Sequence, residues 1–437
     1  MSSGLDMALP ESWSWSPLKF ATTFLNRGTA PDYVDDGPVR VISQAANQAT
    51  GIDWERARFH NYEGDPRKLK GYLVPDDVLI NSTGTGTLGR VGYFAGDPSG
   101  LPCLADGHVT VARADRDVVD PRYLYYWLSS TAFQGYVYSA LIVGATNQIE
   151  LNRERLAGAP ISLPPLDEQR RIVDFLDSET VRIDQLIAGQ RRMVDVIEER
   201  RIAVTSHLVF GRDRDGDRRD SKIPSIGLIP STWRVLRNKI IMREVMDLSD
   251  TGEEELLSVS HLTGVTPRSE KDVTMFLAES MVGYKRCQPG DLVINTLWAW
   301  MGALGVSQYP GILSPAYGIY RMTSDVMDGK YLDFLVRTPE YVTEMTRFSK
   351  GVWTSRLRLY PEAFLALSVP MPPRDEQAQI VNRIVSETYD QERLKSKLES
   401  FAKTLTERRQ ALITAAVTGQ FDVTTASGRS PSGGAVV

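Results

Sequence analysis

The chain has 437 residues, long for a single domain, and 42% of them are hydrophobic, enough to build real cores. No apolar run reaches the roughly 18 residues a membrane span needs, and Met1 to Pro10 lacks the basic-then-apolar order of a signal peptide. The two cysteines, Cys103 and Cys287, lie far apart in unlike contexts, which suits a reducing cytoplasm and, with only four histidines, argues against a disulfide framework or a zinc finger. The net charge of −5 does not advertise nucleic-acid binding: residues 1–163 hold 14 basic and 18 acidic side chains and residues 212–371 hold 20 of each. Any phosphate contact therefore rests on local patches rather than on a basic total.

In chain order, residues 1–163 read as a strand-rich domain with short helices. Val78-Leu79-Ile80 is an apolar run bounded by turn formers, hence a buried strand, and Tyr123 to Leu128 looks helical. Between them Gly84-Thr85-Gly86-Thr87-Leu88-Gly89 matches the dinucleotide fingerprint, but Arg90 to Phe94 reads as another strand, so no helix N-terminus would face a pyrophosphate. The better reading is a flexible loop in which Ser82, Thr83, Thr85, Thr87 and Arg90 meet phosphates or base edges, with a plain hairpin turn about as plausible. Gly144-Ala145-Thr146-Asn147-Gln148 precedes the next segment, and amides such as Asn147 and Gln148 can read adenine by paired hydrogen bonds. Lys68 and Lys70 are candidate phosphate contacts.

Residues 164–211 read as one long helix. Pro164-Pro165 opens it, Asp167-Glu168 complements the positive end of its dipole, and Gly211 fits a left-handed stop. Ile172, Leu176, Ile183, Leu186, Met193, Ile197 and Val204 fall on alternating three–four spacing, the seam of a coiled coil. The charged run 212–222 reads as a solvated linker.

The rest repeats the first part. Leu163-Pro164-Pro165-Leu166-Asp167-Glu168-Gln169 returns as Met371-Pro372-Pro373-Arg374-Asp375-Glu376-Gln377, Pro164 and Pro372 being 208 residues apart, and the register holds ungapped to Gly211 and Gly419. Upstream, Pro10-Glu11-Ser12-Trp13 resembles Pro230-Ser231-Thr232-Trp233 at a shift of 220, and the run at Val78 resembles Leu292-Val293-Ile294 at a shift of 214. Residues 223–371 are thus a second copy of the domain and 372–420 a second helix, with Ile380, Ile384, Leu394, Leu398, Phe401, Leu405 and Leu412 on its seam. In this copy Thr296, Trp298 and Trp300 occupy the loop after the strand, and Lys350, Thr354, Ser355, Arg356 and Arg358 the segment before the helix; Arg can read guanine. Lys285 and Arg286 are further candidate phosphate contacts. Ser427 to Val437, within the tail 421–437, is Gly/Ser-rich and reads as disordered. The fold class expected is α+β: two pseudo-repeated α/β domains separated by two long helices that form an antiparallel coiled coil. No methyltransferase tetrapeptide, nucleotide-hydrolysis motif or metal-binding motif is present, and the Asp-Glu pairs at the helix starts suit capping better than acid–base chemistry.

The order Leu-Pro-Glu-Ser-Trp (Leu9–Trp13), variable domain, Leu-Pro-Pro-Leu-Asp-Glu-Gln, then the same again, resembles the specificity subunits of type I restriction–modification systems over nearly the whole chain. That resemblance implies two target recognition domains, each reading one half of a split double-stranded DNA site. It also implies helices that pair antiparallel, set the gap, and dock two modification subunits. Adenine methylation with S-adenosylmethionine, and ATP- and Mg²⁺-dependent cleavage by restriction subunits, would belong to those cytoplasmic partners, with no cofactor, metal or catalytic residue on this chain and no membrane role. The rival expectation is a coiled-coil scaffold with two protein-binding domains and no DNA role.

Overall fold

The computed structural model describes residues 7–84, 86–143, 149–270, 280–351 and 357–423. They form a mixed α+β chain in two compact units, Met1–Gln190 with Ser400–Val437, and Arg191–Glu399. Two helices of 44 residues, Leu166–Val209 and Arg374–Val417, each contribute one part to each unit.

The first unit is built on an antiparallel sheet in the order Thr22–Arg27, Val109–Ala114, Asp77–Asn81, Val91–Phe94. The central strand Asp77–Asn81 is buried along its whole length, which is why Val78-Leu79-Ile80 at its middle is an unbroken apolar run. Side chains alternate across it. Leu79 faces a second sheet of Cys103–Ala105, Val39–Ile42, Arg58–His60 and Tyr33–Val34, while Val78 and Ile80 face the helix Pro121–Ser129. The same core takes Ile172 and Leu176 from the first long helix and Ile413, Ala416 and Val417 from the second.

The second unit repeats the plan. Its sheet runs Met242–Glu244, Tyr317–Met322, Leu292–Asn295, Leu304–Val306, the same order of equivalent strands. The helix Gly329–Val336 covers it, joined by Leu208, Val209, Ile380 and Ile384 from the long helices.

One joint occurs in both units and explains the repeated motif. Gln169 is fully buried; its Oε1 accepts from the Asp120 amide at 2.8 Å, and its Nε2 donates to the carbonyls of Val118 at 3.1 Å and Pro164 at 2.9 Å. Gln377 does the same with the Asp328 amide at 2.6 Å, Val326 O at 2.8 Å and Pro372 O at 2.9 Å. Asp120 and Asp328 are themselves the N-caps of Pro121–Ser129 and Gly329–Val336. Tyr123 on the first of these helices donates to Val417 O at 3.1 Å, and Tyr331 on the second donates to Val209 O at 3.0 Å. Just beyond those carbonyls Gly419 (φ 73°) lies against Pro10 and Trp13, and Gly211 (φ 60°) against Pro230 and Trp233. A Cβ at Gly419 would sit 2.5 Å from the Pro10 ring, and one at Gly211 2.8 Å from the Pro230 ring, so glycine is required by space as well as by φ.

Within each unit the long-helix parts run antiparallel. In the first, Ile183 and Ile187 pack on Leu405, and Asp184 pairs with Arg409 at 3.0 Å. In the second, Glu198 pairs with Lys395, and Asp213, just past the first helix, with Arg383. The expected seam needs correction. Leu186, Met193, Leu394 and Phe401 are exposed, and Ile197 and Leu398 are half-buried. Ile172, Leu176, Ile380 and Ile384 are buried, but in the domain cores, leaving Ile183 and Leu405, with Leu412 packed against them, as seam residues in the sense expected. The run 212–222 is also more than a solvated linker. Arg218–Asp220 pairs with Leu228–Pro230, Arg212 bonds Glu340 at 2.8 Å, and Arg214 pairs with Glu376 at 2.9 Å. Residues 424–437 of the tail lie outside the described residues.

The joint sets an expectation. Gln169→Leu keeps the volume but strands one amide and two carbonyls, at a cost of roughly 3 kcal/mol. Thermal unfolding should move down by several degrees, and an unchanged midpoint would mean that the amide is not what fastens the helix.

Candidate nucleic-acid interface

In each unit the loop that follows the central strand meets the segment that precedes the last short helix. In the first unit the turn is Ser82–Arg90. The Ser82 amide donates to His108 O at 2.8 Å, and Ser82 O accepts from the Leu151 amide at 2.9 Å. Thr83 Oγ1 donates to Gln44 Oε1 at 3.1 Å and lies 2.8 Å from His108 Nδ1, and its backbone bridges Glu150. Thr87 Oγ1 donates back to Thr83 O at 3.1 Å, and Arg90 donates to Gln48 Oε1 at 2.8 Å. Buried Asn47 ties this third loop to the strand end through Asn81 Oδ1 at 2.9 Å. Strand Val91–Phe94 follows at once, so the glycine pattern opens no helix.

In the second unit the turn is Thr296–Ala303. Thr296 O accepts from the Leu359 amide at 3.0 Å, and the adjacent Arg358 exchanges two backbone bonds of 2.9 Å with Lys350. Trp298 stacks on Trp300 with ring centroids 6.3 Å apart and planes 15° from parallel, and Trp300 Nε1 donates to Leu297 O at 3.1 Å. The hairpin Leu257–Ser260/Gly264–Pro267 stands beside this turn. A cleft of about 670 Å³ lies there, lined among others by Ser258, His261, Asn295, Trp298 and Tyr317.

Thr83, Thr87 and Arg90 thus come together in one unit, and Trp298, Trp300, Lys350 and Arg358 in the other. Thr85, Thr146, Asn147, Gln148, Thr354, Ser355 and Arg356 lie outside the described residues. Four expectations are corrected. Ser82 is buried against Thr110, and Thr296 is buried with its hydroxyl on Ala316 O at 2.7 Å, so both build the frame. Lys285 is 7% exposed, and its ammonium donates to Tyr317 O at 2.8 Å. Arg286 is held by Glu254 at 2.8 Å and by Asp247 and Asp250 at 3.2 Å. Ser249 and Arg286 in turn hold the Glu254 carboxyl down to about 2. Neither Lys285 nor Arg286 is free for a phosphate. Lys68 and Lys70 are exposed at and beyond the turn Pro66–Lys68, and no bond among the described residues links them to the loop cluster.

Gln44, Gln48 and His108, and His261 and Tyr317 in the second unit, join these clusters without having been singled out in the sequence. They come from loops and strand ends distant along the chain, and no periodicity or motif marks them. The ion pairs explain the unpromising charge balance: Arg27, Arg40, Arg113, Arg116 and Arg122 are engaged by Glu150, Asp97, Asp77, Asp76 and Asp177. Both cysteines are buried, which pushes each thiol up to about 12 and keeps it protonated. Among the described residues no group of His, Cys, Asp and Glu could hold a metal, and no helix is long and apolar enough to cross a membrane.

Residues 35–191 match the family described as the type I restriction modification DNA specificity domain. The chain is 22% identical to the putative type I restriction enzyme MjaX specificity subunit of Methanocaldococcus jannaschii, over 86% of this chain and 87% of that protein. It is 23% identical to the type I restriction enzyme EcoKI specificity subunit of Escherichia coli, over 86% of this chain and 82% of that protein. A solved chain from work on complex assembly and conformational transition of the type I R-M system superposes with a TM-score of 0.63 at 18% identity, covering 95% of this chain and all of that one. That likeness establishes the shared fold.

The contrast between two lysines can be measured. Lys285→Ala removes the ammonium that bonds the Tyr317 carbonyl and lies 3.8 Å from Glu244, and should cost roughly 2–4 kcal/mol. Lys350→Ala, at an exposed position, should stay within about 0.5 kcal/mol of the parent. Denaturant unfolding of the two variants checks this; equal stabilities would mean that the Lys285 contacts contribute nothing.

Proposed function

We propose that this chain, a member of the type I restriction–modification specificity-subunit family, is the part of such a complex that reads DNA sequence, each unit reading one half of a bipartite double-stranded site. The observation that carries this is the shared address of two unlike loop clusters. Equivalent sheets, fastened by equivalent joints, present hydroxyls and amides in one unit and indoles with exposed cations in the other. That is what two different half-sites on one frame require. Lys350 and Arg358 make no ion pair among the described residues and suit phosphate or base-edge contacts.

The helices take two roles in this reading: their length sets the unread gap, and their exposed apolar residues dock two modification subunits. The first unit exposes Val181, Leu186 and Phe401, and the second exposes Met193, Val196, Val385 and Tyr389. Large apolar side chains left outside the helix pairing are what a partner helix covers. S-adenosylmethionine-dependent adenine methylation belongs to those partners, and ATP- and Mg²⁺-dependent cleavage to restriction subunits; this chain supplies the address and no catalytic group.

Two experiments test the reading. Exchange of residues 14–160 for those of a relative should change one half of the sequence methylated by the reconstituted complex and leave the other intact, as mapped by methylome sequencing. A change in both halves would break the modular reading, and failure of the parental complex to select any DNA would remove the DNA role. Insertion of four residues after Gly189 adds about 6 Å of helix and close to one full turn. At roughly 3.4 Å per base pair the gap should lengthen by about one or two base pairs with both half-sites unchanged. An unchanged gap at full activity would deny the helices a measuring role.

A further inference from the structure

The turn Thr296–Ala303 leaves apolar surface where a polar loop would suffice. Trp298 is 50% exposed, Leu297 44%, and Leu262, at the tip of the neighbouring hairpin, 74%. Chance exposure of one such side chain is ordinary, but Leu297 and Trp298 are consecutive, and the hairpin that carries Leu262 lines the same cleft as they do. The Trp298 indole is also held ready. Trp300 stacks against it at 15°, and Trp300 is itself fixed by its bond to Leu297 O. Trp298 also borders the open cleft beside Asn295 and Tyr317. A ring already held in one orientation loses little freedom when something stacks on it.

The surroundings identify the partner. The Leu359–Thr296 bond brings Arg358 next to this turn, and the ladder with Lys350 brings a second cation. Both are exposed, and Arg358 lies over the Tyr360 ring at 5.6 Å. An apolar turn bonded to a segment whose two exposed cations make no ion pair among the described residues suits a polyanion whose interior is aromatic, and so a base-pair step between phosphates. At the same address the first unit carries Thr83, Thr87 and Arg90, and an exposed ring at this turn, Tyr138, is tethered through its hydroxyl to Leu88 O at 3.2 Å.

We infer that Trp298 is a wedge: its indole enters a base step of the half-site read by the second unit, with Leu262 and Leu297 alongside it and Lys350 and Arg358 on the flanking phosphates. This rests on the DNA-reading function proposed above. Insertion unstacks a step and kinks the duplex, so its cost depends on which step is deformed. The second unit then draws part of its specificity from deformability, favouring a pyrimidine–purine step where the indole enters. The first unit draws its specificity from hydrogen bonds.

The test uses the chain reconstituted with its modification subunits and a duplex carrying the methylated sequence of the host. Affinity is read by anisotropy and bending by energy transfer between the duplex ends. The parental complex should bend the DNA at the second half-site. Trp298→Ala should lose roughly 10- to 100-fold in affinity, the scale of one base–aromatic stack, and bind DNA that is nearly straight. Trp298→Phe should recover most of the bend. Exchange of the flexible step for a stiff one should penalise the parent more than the alanine variant. Unchanged discrimination at the first half-site and an unchanged unfolding midpoint would establish that the alanine variant is folded. Straight DNA in the parental complex, with affinity lost in Trp298→Ala, would mean that the indole packs sideways in a groove, and the wedge falls while the DNA reading stands. Parental affinity and bend in Trp298→Ala would also overturn it. No sequence-selective binding by the parental complex would take both down.

Discussion

A single buried amide organises this molecule twice. Gln169 and Gln377 each satisfy three backbone groups that would otherwise be stranded, one of them the amide of the aspartate that caps the sheet-covering helix. An unsatisfied buried amide or carbonyl costs more than a made bond returns, so the first turn of each long helix has one seat on its sheet-covering helix. Tyr123 and Tyr331 then grip the far end of the other long helix at the Val417 and Val209 carbonyls. Each unit is therefore closed by one helix beginning and one helix ending. The motifs that mark the repeat in the sequence are the residues of this closure, and the side chains that differ between the copies stand outside it.

That division governs what the sequence could reveal. The repeat, the α+β class, the central strands and the short covering helices were legible because each depends on local pattern: an apolar run, a helical stretch after turn residues, a Pro-Pro start. The helix seam was not. Leu186, Met193, Leu394 and Phe401 obey heptad spacing, yet the inner line of the middle region carries Glu198 and Lys395, while the apolar residues face outward. Spacing reports that one face is apolar; it does not report what covers that face. The ends of both helices spend their apolar residues on the domain cores, so a single heptad register cannot serve the whole length.

The two loop clusters were half legible for a related reason. Loop chemistry at Thr83 or Trp298 could be read directly, because it follows a recognisable strand. Gln44, His108 and His261 could not, since they arrive from other loops. Among the basic residues, sequence could not separate Lys285 from Lys350. The difference is a strand position that points Lys285 at the Tyr317 carbonyl, against an exposed ladder position for Lys350.

The frame also isolates its loops mechanically. Asp77 begins the central strand and takes two bonds of 2.8 Å from Arg113 on the neighbouring strand, while Asp291, just before its strand, takes two of 2.8 Å from Arg321. Burial raises the Asp77 carboxyl despite the guanidinium beside it, while the bond to Asp77 raises Arg113, and the paired bonds tie the start of the strand to its neighbour. In both copies the lock sits at the start of the strand, and the variable turn leaves from its end, about 13 Å away at roughly 3.3 Å per residue. A substitution in the turn therefore meets a strand already pinned at the far end and a helix already seated by its glutamine. Hydroxyls in one copy and indoles in the other could diverge on this plan without disturbing the parts that hold each unit closed.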